Sequence, residues 1–97
     1  MKKEEVFQDV LKAVSDVTGL KKESIINSRS EECSDARYIL VRYLYKLLPT
    51  SSIAELLNRT NQGVRYILNR SSKDSFWVES NWKAILKSLE SKYFIMK

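Results

Sequence analysis

SIAELLNRTNQGVRYILNR (residues 52–70) is the stretch whose reading decides the fold. Ile53, Leu56 and Leu57, then Val64, Ile67 and Leu68, recur at the spacing of two short amphipathic helices. Asn58, Arg59 and Thr60 between them have room for a tight turn and nothing longer. Ser52 and Glu55, three apart, make the capping-box pattern that predicts the first helix start. Asn61 is the expected N-cap of the second helix, 62–69. That helix opens on Asn61, Gln62 and Gly63, none of which anchors a core. Its apolar face holds Val64, Ile67 and Leu68, and its other face holds Gln62, Arg65, Tyr66 and Asn69. The polar start is therefore expected to face something other than the interior.

Working outward, DARYILVRYLYKLL (35–48) is the most hydrophobic segment. It reads as the central helix, with Ala36, Leu40, Tyr43, Leu44, Leu47 and Leu48 on a broad arc and Pro49 ending it. Arg37 falls on the buried side of that arc. Two readings stay open for it: a structural arginine paired with a carboxylate, or a residue emerging at the helix start to meet a phosphate. Upstream, Val6, Val10, Val14 and Val17 predict a first helix over 4–18, stopped by Gly19. Residues 22–26 predict a short second helix, and 27–35 a polar connection in which Ser30 or Ser34 can cap the central helix. Downstream, 71–77 reads as a loop. The spacing of Trp82, Ile85, Leu86 and Leu89 predicts a last helix over 79–93, and the apolar tail FIMK either folds back or frays. The expectation is one domain, 1–97, of all-α class: a compact bundle of about five to six helices.

The composition narrows the chemistry. The chain has 97 residues, 43% hydrophobic, with two Gly, one Pro, one Cys and no His. A single cysteine, Cys33, excludes an internal disulfide and makes a reducing compartment the easier reading. With no His and one Cys, no metal site of that type and no His-based acid–base chemistry is expected. No nucleophile–base set stands out, so neither an enzyme nor a cofactor is expected. No secretory signal pattern follows Met1, and no apolar run nears the about 20 residues that span a bilayer. The net charge of +5 is unevenly placed: residues 1–33 carry −1, 34–73 carry +5 and 74–97 carry +1. A basic patch confined to the middle suggests a polyanionic partner; chance segregation of solubilising charge is the plain alternative.

Two short helices with a polar outer face on the second make a helix-turn-helix pattern, and residue chemistry suits it to double-stranded DNA. Gln and Asn offer paired donors and acceptors to base edges, and Arg offers a fork of donors. The helix start adds free N–H groups and a positive dipole end. The candidate contacts are Arg59, Thr60, Asn61, Gln62, Gly63, Arg65, Tyr66 and Asn69. Arg37, Arg70 and Lys73 join them as neighbours for the phosphate backbone, as Arg42 and Lys46 do if they line the same side. Trp77 and Trp82 read as core aromatics and Cys33 as a loop thiol without a role.

From about 10 to 89 the chain also resembles the C-terminal DNA-binding domain of the bacterial replication initiator DnaA. The points in order are Val14 to Ile25, Ser28-Arg29, Ala36-Arg37-Tyr38-Ile39, Ile53-Ala54 to Leu57-Asn58, Arg59 to Val64, and the apolar spacing of Val78, Trp82, Ile85, Leu86 and Leu89. The resemblance implies a Trp-repressor-like helix-turn-helix, Arg29 directed at a minor groove, and a cytoplasmic, nucleoid-associated protein of replication or transcription without the family's motor domain. Only Arg59 and Val64 keep the family's recognition signature. Thr60, Asn61, Gln62 and Gly63 replace its base-reading set, and Glu31 and Glu32 follow Arg29 in the basic loop. The family's target sequence is not carried over. A second reading is a protein-interaction module on the same scaffold that has lost base reading and docks through FIMK or Phe76 and Trp77.

Overall fold

The computed structural model describes residues 2–93 and, among them, six helices and no strand. They are α1 (Lys3–Thr18), α2 (Lys22–Asn27), α3 (Glu31–Tyr45), α4 (Thr50–Leu57), α5 (Asn61–Leu68) and α6 (Phe76–Leu89). The all-α class and the helix count agree with the sequence reading. The FIMK tail lies outside the described residues.

α3 is the axis of the fold. Every residue from Ala36 to Val41 is buried, Arg37 included. A helix apolar on most of its circumference needs neighbours all round, and α3 packs against each of the other five. α1 contributes Val6, Val10 and Val14, all fully buried, and α6 contributes Val78, Trp82 and Ile85. Tyr43 stands at the centre, edge-on to Trp82 at 6.0 Å and to Tyr93 at 6.4 Å between ring centroids. Aromatic pairs in this arrangement add stabilisation beyond the area they bury. Trp82 is thus a core aromatic, in agreement with its spacing.

Several boundaries differ from the sequence reading, each for a local reason. α3 starts at Glu31 because the Ser30 hydroxyl accepts from the Cys33 amide at 3.2 Å. Cys33 is therefore buried in a helical turn and is not a loop thiol. α3 ends at Tyr45, and α4 begins at Thr50 directly after Pro49. The pattern at Ser52 and Glu55 is not a capping box: α4 has no side-chain cap, Pro49 is its N-cap, and Glu55 instead pairs with Lys3 of α1. Ser75 caps α6, so Phe76 and Trp77 belong to a helix and not to a loop. Gly19 ends α1 in the left-handed conformation at φ 77°, as expected of glycine there.

Candidate nucleic-acid interface

Asn58 makes the turn before α5. It is the one non-glycine residue with positive φ among the described residues, at 55°. The Arg59 amide donates to the Ala54 carbonyl at 2.8 Å and the Asn58 amide to that of Glu55 at 3.2 Å. This double closure of a helix end needs a left-handed residue, and asparagine tolerates it better than other side chains. Thr60, not Asn61, then caps α5: its hydroxyl accepts from the Gly63 amide at 3.0 Å. Gly63 has ordinary helical φ. A Cβ there would stand 3.3 Å from that same hydroxyl, so the glycine leaves room for the cap.

α5 packs against α3 and α4. Val64 and Ile67 face inward, while Asn61, Gln62, Arg65, Tyr66 and Asn69 are exposed. Tyr66 is 82% accessible, unusual for an aromatic ring. α6 packs on α1 and α3 and does not cover this face. The amide and guanidinium side chains therefore stand in solvent on one side of one short helix. Arg59 and Thr60, in the turn, are exposed as well.

The other candidates divide. Arg29 is exposed between α2 and α3, and Lys73 is half-buried after α5. Arg37 does not emerge into solvent at the helix start, as contact with a duplex backbone would require. It is 7% exposed, its Nε donates to the Ile25 carbonyl at 2.8 Å and its Nη2 to the Ser28 carbonyl. It closes the C-terminal end of α2, where unpaired carbonyls and the negative end of the helix dipole favour a cation. Of the structural alternative, burial is seen but the expected carboxylate partner is not: backbone carbonyls hold Arg37. Arg59 reaches the same end of α2, its Nη2 lying 3.2 Å from the Ile26 carbonyl. Burial lowers the pKa of Arg37, and the Arg59 and Arg70 charges add to that, while Cys33 opposes it. Arg70 is bound by Asp35 at 2.6 Å, and Ser72 donates to the same carboxylate oxygen. Arg42 lies on another face, 4.0 Å above the Trp82 ring and 3.5 Å from Glu79. It therefore joins α3 to α6 and lines no common side with α5.

Between the first half of α3 and the end of α5 lies a cleft of about 320 Å³. Its lining includes Arg37, Arg59 and Arg70 with Ser34 and Ser71, and Tyr66 and Ile67 as apolar surface. Ser34, Asp35, Ser71 and Ser72 escaped the sequence reading as site residues. One signal was present: Asp35 is one of only two acidic residues between 34 and 73. An isolated acid in a basic segment is a natural partner for one of its arginines. No protein-family profile, curated protein or solved structure matches the chain. Among the described residues no helix is long and apolar enough to cross a membrane, and no cluster of His, Cys, Asp and Glu has metal-site geometry.

Proposed function

We propose that the chain binds double-stranded DNA, with α4 and α5 acting as a helix-turn-helix and α5 entering the major groove. The observation that carries this reading is the exposed face of α5, Gln62, Arg65, Tyr66 and Asn69, backed by buried Val64 and Ile67 and flanked by exposed Arg59. Its side chains supply the hydrogen-bonding pairs that base edges require. The whole charge excess lies in the segment carrying this face. The resemblance to the DnaA C-terminal domain belongs to this proposal, as do an accessory role in replication or transcription and a place at the nucleoid.

The test is titration of a random duplex pool at several salt concentrations. Affinity is expected to fall steeply with salt, because each neutralised phosphate releases counterions. Arg65→Ala and Arg59→Ala should each weaken binding with the helical circular-dichroism signal intact. Absence of duplex binding at low salt, or full affinity in both variants, would reject the reading. One observation favours the protein-interaction alternative: Phe76, at the start of α6, is 86% accessible. Nuclease-resistant capture of a partner, dependent on Phe76 and Trp77, would support it.

A further inference from the structure

We propose that the cleft between α3 and the end of α5 is a binding site for a doubly charged phosphate group, free or at the end of a nucleotide. Three arginines line it, Arg37, Arg59 and Arg70. The carboxylate bound to one of them, Asp35, is held by Arg70 and Ser72 together. Three arginines against one aspartate leave a net charge of +2 at the cleft.

Arg37 makes this more than a basic patch. A buried charge is costly unless a counter-charge answers it. Arg37 is 7% exposed, yet its hydrogen bonds go to two neutral carbonyls. No carboxylate pairs with it among the described residues. Arg59 likewise holds only a carbonyl, and from an exposed position. An oxyanion in the cleft would add a full counter-charge to the partial negative charge those carbonyls offer both. Guanidinium is suited to it, because its planar fork matches two oxygens of one phosphate. Ser34 on α3 and Ser71 after α5 also line the cleft, and their hydroxyls can act as further donors. A phosphate monoester above its second pKa, about 6, carries two charges and matches the cleft. A backbone phosphodiester carries only one. Tyr66, with its ring in solvent at the rim, can take the flat face of an attached base.

This site shares Arg59 and Tyr66 with the duplex reading but rests on the cleft, and different ligands test the two. Amide chemical shifts of the full chain are followed during titration with inorganic phosphate, with a nucleoside 5′-monophosphate, and with the nucleoside alone, at ionic strength matched with chloride. Saturable shifts at Ser34, Tyr66 and Ser71 are expected with both phosphates. Affinity for the monophosphate should rise as pH passes from 5 to 7 through its second pKa, about 6. Tighter binding of the monophosphate than of phosphate would name a nucleotide as the ligand, and equal binding the phosphate group itself. Arg59→Gln should weaken binding about tenfold, the loss of a charge-assisted hydrogen bond. Arg59→Lys, which keeps the charge without the fork, should lose less. Lys83→Gln, on the exposed side of α6, removes the same charge elsewhere and should change nothing. The site is overturned if chloride reproduces the shifts, if affinity is flat across that pH range, or if Arg59→Gln binds as tightly as the parent. Phosphate binding without duplex binding would leave the cleft standing and remove the groove-reading helix.

Discussion

Arg70 and Arg37 come from the same basic segment and meet opposite surroundings. Arg70 closes on Asp35 across a part-buried contact, and Ser72 donates to the same carboxylate oxygen. Removing the acid would leave the guanidinium without its counter-charge, so Asp35→Ala should lower stability by about 3 kcal/mol. Urea denaturation measures this, and a loss below half that value would show the pair to be a surface contact. Arg37 binds carbonyls at the end of α2, and Arg37→Met should release that end without exposing a carboxylate. These partnerships explain what the sequence could show at this scale. Side-chain chemistry marked both arginines as notable. Neither an acid 35 positions away nor a backbone carbonyl leaves a trace in local spacing. The exposure of Gln62, Arg65 and Asn69 was legible, because a helix with Val64 and Ile67 buried must turn those positions outward.

Helix ends carry the next set of energies. Thr60 alone caps α5 by side chain. Thr60→Ala should cost about 1 kcal/mol, read from the urea midpoint. Asn58 sits in the left-handed conformation. A β-branched residue there meets its own carbonyl, so Asn58→Val should cost about 1–2 kcal/mol while Asn58→Gly is tolerated. If Asn58→Val were neutral, the turn would have another conformation. Element existence followed from apolar periodicity, and the ends did not. Glu31 and Glu32 are exposed in the first turn of α3; they suit the positive end of the helix but add no apolar repeat. The Ser52 and Glu55 pattern misled because Pro49 already sets the start of α4, one turn earlier.

Across the whole molecule, the segment after α6 is fastened to α1. Tyr93 donates to Asp9 at 2.8 Å, and Lys92 approaches the same carboxylate at 3.3 Å. The Tyr93 hydrogen bond, with Lys92, holds Asp9 below the usual carboxylate range although desolvation opposes it. Burial and Asp9 push the Tyr93 phenol up to about 12. The signs give two windows. Asp9 stabilises the fold above its unfolded pKa, about 3.9, and that contribution fades as pH falls through the lower folded value. Tyr93 contributes fully below about pH 10, and its share is lost as pH rises from there to about 12. Tyr93→Phe should flatten both edges of the stability–pH curve and bring the Asp9 pKa toward normal, as carboxyl chemical shifts would report. Stability loss unchanged at both edges would place the titrating groups elsewhere. The bundle was readable at this scale because valine and leucine stripes at helical period require mutual burial. The tie between the two ends was not, since it joins residues 84 apart.

The hydrogen bond from Arg59 to the Ile26 carbonyl has a consequence for how occupancy would be sensed at a distance. α2 is only six residues long, too short to persist without such support. An incoming anion that drew this guanidinium away would leave the last turn of α2 with one clasp fewer. Deuterium uptake at Ser28, whose amide bonds back to the Ser24 carbonyl at 2.8 Å, should then quicken, so a remote turn of backbone would gauge what the arginine holds.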